Sequence, residues 1–241
     1  MPYDYEMDVR LPAESVQDER LAFIRRTYAH LAGAVLAFVA LEAVLVQVAS
    51  PEFVGSLMGI GRPGWSELFV FFAFIGAGMI ARVWANSNTS IGLQYLGLGF
   101  YVVVQSLLCL PLVYLAANYI QDKTLIPTAG ILTLSVFGGL TLTVFVTKKD
   151  YSFLRPILCV GSMIIFGMVI CAIIFQGITL GLLFAFALVA LVSGYILYDT
   201  SNVLHHYHTS QYVGAALELF ADVATMFRMI LYILMRLNGR D

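Results

Sequence analysis

The longest uncharged stretch of the chain covers residues 156–198, where no Asp, Glu, Lys or Arg occurs. One membrane-spanning helix needs about 20 apolar residues, so this stretch is long enough for two spans. Gln and Gly at residues 176–177 interrupt it near its middle and predict a very tight turn. We therefore expect two consecutive transmembrane helices here.

The composition of the whole chain is that of a multi-spanning membrane protein. It is 60% hydrophobic and 12% charged, whereas about 25% of the residues in soluble domains are charged. A net charge of −2 offers no basic patch dense enough for nucleic acid. Cys109, Cys159 and Cys171 lie in apolar runs without the spacing of a metal or redox site. We expect them to be buried, and we expect no cofactor.

Five further apolar runs have the length of membrane spans. The sequence therefore predicts an all-α integral membrane protein with seven transmembrane helices. Residues 1–26 are polar and acidic and are expected to form a mobile cytoplasmic tail, while residues 27–241 form the transmembrane domain. The five further runs are residues 28–49, 68–84, 91–116, 125–146 and 213–234.

The distribution of basic residues predicts the orientation, because loops on the cytoplasmic side are rich in Lys and Arg. Seven spans place eight basic residues on the side of the N-terminus and four on the other side. The N-terminus is therefore expected in the cytoplasm and the C-terminus outside, and the compact loops favour a bacterial inner membrane. The first group is Arg10, Arg20, Arg25, Arg26, Arg82, Lys148, Lys149 and Arg155, and the second is Arg62, Lys123, Arg236 and Arg240.

Two carboxylates, Asp199 and Asp222, lie on the last two of these spans. A charge near the centre of a bilayer costs about 2.5–3.5 kcal/mol, so Asp222 needs a shielded partner, and Asp199 is the next acid on a neighbouring helix. Two carboxylates held close do not both ionise easily, so the pair is expected to share a proton and to sense pH. When both ionise, their oxygens suit a hard cation such as Ca²⁺, which so few ligands hold only transiently.

The seventh span is the most polar of the set. Glu218, Asp222 and Thr225 share one helical face, and Arg228 is turned well away from it. A helix with charges on different sides cannot easily show either side to lipid, so the C-terminal helix is predicted to be central in the bundle. Glu218 and Arg228 are candidates to support the aspartate pair. The alternative that these charges only hold the bundle together stays open.

Arg82, late in the second span, is the candidate counter-charge, because a guanidinium can bridge two carboxylates when a gate is shut. Beside Trp84 it could instead extend to the lipid headgroups. A polar connection over residues 200–212 carries three histidines without an acidic or Cys ligand beside them. We expect these to tune the pH response rather than to bind metal. They are His205, His206 and His208.

The motif Tyr198-Asp199-Thr200, followed by Leu219-Phe220-Ala221-Asp222 and Phe227-Arg228, resembles the closing segment of the transmembrane Bax inhibitor motif family. Residues 147–152, Thr-Lys-Lys-Asp-Tyr-Ser, resemble the loop between helices four and five of that family. The resemblance implies seven helices with the last one central, and a pH-sensitive Ca²⁺ leak through the lipid bilayer. It further implies that Asp199 and Asp222 form the sensor and that Arg82 is the latch.

Members of the same family also suppress cell death in eukaryotes and modulate a membrane-bound protease in bacteria. The resemblance therefore leaves a second function open, that of a non-conducting regulator of a membrane protein partner. Some relatives carry a glutamate early in helix four, whereas Pro127-Thr128-Ala129 stands in the corresponding region here. No permeation role for such an acid is carried over.

Two protease classes are the enzymatic alternatives. An intramembrane aspartyl protease is similar in placing Tyr-Asp on one helix and a second Asp on the next. In that class, however, the second aspartate follows Gly-x-Gly, whereas Leu219-Phe220-Ala221 precedes Asp222. A rhomboid-like serine protease needs a Gly two residues before its Ser-Gly, which Leu191-Val192-Ser193-Gly194 lacks. We therefore expect a channel rather than an enzyme.

Overall fold

A computed structural model describes residues 12–58, 65–87, 90–175 and 180–238. This described part is helical and contains no β-strand, which confirms the predicted all-α class. A short 3-10 turn at Ser152–Leu154 precedes the sixth α-helix. The α-helices are α1 (Pro12–Val48), α2 (Pro51–Leu57), α3 (Trp65–Ala85), α4 (Ile91–Asn118), α5 (Leu125–Thr147), α6 (Arg155–Phe175), α7 (Leu182–His205) and α8 (Tyr212–Asn238).

Six of these helices, α1 and α3 to α7, are long and apolar enough to cross a membrane. The chain is therefore a multi-pass membrane protein. Helix α8 has 27 residues and would extend about 40 Å at 1.5 Å per residue, but its charged residues keep it outside that set. These are Glu218, Asp222, Arg228 and Arg236. The number of seven spans thus stays a prediction, and the turn expected at residues 176–177 lies outside the described residues.

Helix α1 begins earlier than the sequence predicted. Residues 12–26, which we expected to belong to a mobile tail, are part of this helix, while residues 1–11 lie outside the described residues. Phe23 is only 1% exposed, and Arg20 contacts the end of α7. The polar composition of this region did not reveal that Arg20 and Phe23 would dock the first part of the helix against the bundle.

Helix α8 lies inside the bundle and packs against α1, α3, α4, α5 and α7. Phe220 and Phe227 of α8 both contact Phe38 of α1, with ring centroids 5.9 and 6.1 Å apart. Most of its other residues between Val213 and Ile233 are also buried. A helix that carries four charges is thus shielded from lipid by its neighbours, which is the arrangement that its charge pattern requires.

Helix α6 is packed differently, because most of its surface is exposed. Leu158 is the buried residue described on this helix, and its main neighbour is α7. Cys159 and Cys171 are exposed on α6 and only Cys109 is buried, so the expectation that all three cysteines are buried was wrong for two. An apolar run does not reveal which side of its helix faces lipid.

Helices α3 and α4 approach each other closely near the last turn of α3. A Cβ atom on Gly97 of α4 would lie 2.4 Å from the backbone nitrogen of Ala85. The absence of a side chain at Gly97 therefore brings the two backbones into contact. This contact fixes the end of α3 and, with it, the position of Arg82.

Candidate functional site

Four charged side chains line one cavity of about 600 Å³ between α3, α6, α7 and α8. They are Arg82 from α3, Asp199 from α7, and Glu218 and Asp222 from α8. The rest of the wall is largely apolar. A cavity with an apolar wall and a few convergent polar groups is typical of a ligand or ion site.

The two aspartates meet in this cavity, as the sequence predicted for a pair on neighbouring helices. Their carboxyl groups lie within hydrogen-bonding reach of each other. Asn202, one turn after Asp199, points its side-chain nitrogen at Asp199 Oδ1 from 3.4 Å. Asp222 is 8% exposed, and its Oδ2 has no hydrogen-bond partner among the described residues. A hydrogen bond between two carboxyl groups requires a proton on one of them, so this geometry suits a shared proton.

Arg82 binds Glu218 rather than either aspartate. The Arg82 Nε atom lies 3.1 Å from Glu218 Oε1 and 3.0 Å from Oε2, and the guanidinium stacks over the ring of Tyr101 at 5.6 Å. The sequence assigned Arg82 to the aspartate pair directly. The structure instead pairs Arg82 with Glu218, which lies one helical turn before Asp222 on the same face of α8. Arg82 remains close enough to act electrostatically on both aspartates.

Arg228, the other predicted supporting residue, does not line this cavity. It is half-buried and lies on a different face of α8 from Glu218 and Asp222. Thr225, which shares the acidic face of α8, does line the cavity. The helical face therefore predicted correctly which side chains of α8 point into the cavity.

Tyr101 is a site residue that sequence reasoning missed. It is 5% exposed, lines the cavity, and its hydroxyl accepts a hydrogen bond of 2.9 Å from Gln105. Tyrosine and glutamine four residues apart lie on one face of a helix, so their spacing within an apolar span was the available signal.

The end of α7 that follows Asp199 is held from two sides. Arg20 of α1 donates hydrogen bonds to the carbonyl oxygens of Val203, Leu204 and Tyr207, at 2.7, 3.1 and 2.5 Å. Carbonyl groups at the end of a helix lack partners within the helix, and a cation there is favourable. Arg20 therefore acts as a cap on the helix that carries Asp199.

The loop between α5 and α6 holds the same end of α7 from the other side. Ser201 Oγ accepts a hydrogen bond of 2.9 Å from the backbone nitrogen of Tyr151, and His206 Nε2 lies 3.5 Å from Asp150. The backbone N–H of Ser152 holds the pKa of Asp150 below its usual value, and His206 adds to this effect. We refer to Arg20, this loop and the end of α7 as the basic end of the bundle.

The predicted polar connection over residues 200–212 is shorter than expected. Helix α7 continues to His205, so only the residues after it connect α7 to α8. His206 contacts Asp150, and His208 donates its backbone N–H to the side chain of Gln211. Among the described residues, no group of three or more His, Cys, Asp and Glu side chains is arranged to hold a metal ion.

Replacing Arg20 with Gln is expected to destabilise the fold, because three carbonyl groups lose a charged donor. A hydrogen bond to a charged group contributes about 1.5–3 kcal/mol. Because solvent weakens the bonds of this partly exposed side chain, we expect a total loss of about 2 kcal/mol. Thermal unfolding in detergent measures the loss as a lower midpoint. Arg25→Gln, an exposed arginine of the same helix, is the control. Equal midpoints for both variants would contradict the capping role.

The family model and the similar proteins that match this chain point to the same family. A family model described as "Inhibitor of apoptosis-promoting Bax1" matches residues 20–239. The chain is 27% identical to protein lifeguard 4 of Mus musculus over 223 residues, which are 92% of this chain and 87% of the relative. It is 26% identical to Bax inhibitor 1 of Schizosaccharomyces pombe over 236 residues, or 95% and 82% of the two chains.

A bacterial relative supports the membrane assignment. An uncharacterized membrane protein of Vibrio cholerae is 35% identical over 113 residues, which are 46% of this chain and 49% of the relative. No solved structure matches the chain significantly.

Proposed function

Because the chain belongs to the Bax inhibitor family, we propose that it is a pH-sensitive calcium leak channel, controlled by a proton shared between Asp199 and Asp222. The observation that carries this proposal is the meeting of the two carboxyl groups in the cavity between α3, α6, α7 and α8. Ionisable residues inside a membrane protein are costly, and those that are present mark proton or ion pathways.

The proposed orientation places the basic end of the bundle in the cytoplasm of a bacterium, in its inner membrane. Helix α8 is then the seventh crossing, surrounded by the other helices and shielded from lipid. Asp222 lies ten residues after the start of α8, or about 15 Å into the helix at 1.5 Å per residue. The cavity thus lies within the membrane, at the level where a barrier to ions is needed.

The closed state is the one with a proton between the two aspartates. With that proton in place, a hydrogen bond between their carboxyl groups would hold α7 and α8 together at this level, and Arg82 is held by Glu218. When the proton leaves, two negative charges repel each other across the α7–α8 contact. The repulsion separates the two helices and frees carboxylate oxygens to face the cavity, so the flux is expected to rise with pH.

Calcium is the proposed permeant ion because hard cations prefer carboxylate oxygens. The cavity offers the carboxylates of Asp199, Asp222 and Glu218, whereas a tight Ca²⁺ site uses about six to eight oxygen ligands. Water molecules must complete the shell, and binding is therefore weak. Weak binding is what conduction requires, since an ion must leave as readily as it enters.

The experiment is Ca²⁺ entry into liposomes that contain the purified protein, across a pH range of about 5.5 to 8 chosen to span the titration of a carboxyl pair. Liposomes without protein are the control. The proposal predicts a protein-dependent entry that increases with pH. Folded protein that gives no entry above the control would contradict it, and would favour a non-conducting regulator of a membrane protein partner.

A further inference from the structure

A second cavity, of about 630 Å³, lies beside the first between α3, α6 and α7. Its wall is apolar over most of its length, with Leu158, Met163 and Phe166 from α6. Arg155 and Tyr198 line it as well, and Arg155 is the first residue of α6, at the basic end of the bundle. We call this cavity the α6 groove. Its volume is within the range of about 300–1,000 Å³ that is typical of small-molecule sites.

The α6 groove adjoins the aspartate cavity. The two cavities share Ile75, Ser162, Phe166 and Tyr195 in their walls. The hydroxyl groups of Ser162 and Tyr195 lie 2.8 Å apart. These shared side chains form a common wall between the cavity of the two aspartates and the groove.

The contact between α3 and α6 beside the groove is sparse. It includes a ring pair, Phe71 and Phe166, with centroids 5.8 Å apart. Neighbouring residues of α6, such as Met163 and Ile164, are exposed at 68% and 58%. In a membrane, exposed apolar residues of this kind face lipid. The groove is therefore open to acyl chains from the side of the protein.

We propose that the α6 groove binds an anionic phospholipid, with its phosphate on Arg155 and one acyl chain along the apolar wall. Arg155 is exposed and has no carboxylate within ion-pair distance in the described part of the chain. A guanidinium at the end of a membrane helix matches a phosphate in charge and in hydrogen-bond geometry. Basic pockets between membrane helices are sites for lipid headgroups.

The apolar length of the groove selects a lipid over free phosphate. An apolar cavity of this size is poorly hydrated, so a hydrocarbon chain fills it better than water does. Arg155 alone would hold phosphate only as an exposed ion pair, which contributes little. The bound chain would cover the thin wall beside the aspartates. An effect of the lipid on flux rests on the proposed function, whereas lipid binding itself does not.

The first experiment measures lipid binding directly, by native mass spectrometry of the purified protein titrated with phosphatidylglycerol or phosphatidylcholine. We expect tighter binding of phosphatidylglycerol, weakened on the order of tenfold in Arg155→Gln, as expected for the loss of a charge-assisted contact. Lys149→Gln removes an exposed positive charge from the neighbouring loop without altering the groove. Equal weakening in both variants would show nonspecific attraction and overturn the proposal.

The second experiment locates the lipid by cysteine labelling in detergent. Cys159 lines the groove, whereas Cys171 is exposed further along the same helix. Phosphatidylglycerol is expected to slow the modification of Cys159 by N-ethylmaleimide several-fold and to leave Cys171 unchanged. Inorganic phosphate is expected to protect neither. Protection of Cys159 by phosphate alone, equal protection of both cysteines, or protection of neither by the lipid would contradict the proposal. Because no flux is measured, failure of the channel proposal would leave these results unaffected.

Discussion

Liposomes that contain the Asp222→Asn variant are expected to show a Ca²⁺ entry that no longer rises with pH. Asparagine keeps the size and a hydrogen-bonding group at this position, so the contact with Asp199 is retained. It cannot ionise, however, and the repulsion that opens the α7–α8 contact is lost. The rate should therefore stay near the low value of the protonated wild type over the whole pH range.

The matched control is Asp122→Asn, which makes the same chemical change on the loop before α5. Asp122 accepts hydrogen bonds from the backbone nitrogen of Thr124 at 2.9 Å and from its hydroxyl at 2.7 Å. It is not among the residues that line the cavity. It should keep the wild-type pH profile. A pH profile of Asp222→Asn that matches the wild type would show that another group senses pH.

Glu218→Gln is the second substitution with a large expected effect. It removes the ion-pair partner of Arg82 and takes away a negative charge beside both aspartates. Both changes favour the ionised carboxyl pair, because the released guanidinium and the missing carboxylate act in the same direction. The pH at half-maximal Ca²⁺ entry should therefore move down by about one unit.

Glu52→Gln is the control for this shift, because it removes the same charge from an exposed position in the first turn of α2. It should leave the midpoint of the pH profile in place. An unchanged midpoint in Glu218→Gln, with Ca²⁺ entry intact, would mean that the Arg82–Glu218 pair only joins α3 to α8. An upward shift would mean that Glu218 holds Arg82 in a position where it stabilises the ionised aspartates.

The residues of the site were predictable where helical periodicity decides the outcome. Asp199 was paired with Asp222 because it is the next acid on a neighbouring helix, and the structure places both side chains in one cavity. Glu218 was placed on the same face of α8 because four residues make about one turn. Such predictions need only the position of a residue within its own helix.

Predictions that depend on the depth and rotation of a second helix were less accurate. Arg82 was assigned to the aspartates. The close approach of α3 and α4 at Gly97 sets the height of the end of α3 along α8, and at that height the Arg82 side chain meets Glu218. Tyr101 was missed because aromatic residues are common in membrane spans. The capping role of Arg20 was equally hidden, since its partners are backbone carbonyl groups that no sequence pattern reveals.

The exposed surface was also difficult to predict from the sequence. Helix α8 is enclosed by its neighbours, whereas α6 is largely exposed. The charges of α8 indicated its central place correctly. Nothing comparable marked α6, because a uniformly apolar helix is equally stable against protein and against lipid.

The measurement that tests the central claim most directly is an infrared titration of the protonated carboxyl signal in the purified protein, for the wild type and Asp222→Asn. The account predicts a component of this signal in the wild type that disappears over the same pH interval in which Ca²⁺ entry rises and that is missing from the variant, whereas the buried Glu42 contributes equally to both proteins. A wild-type protein without such a signal, or with one that titrates outside that interval, would contradict control by a proton shared between Asp199 and Asp222.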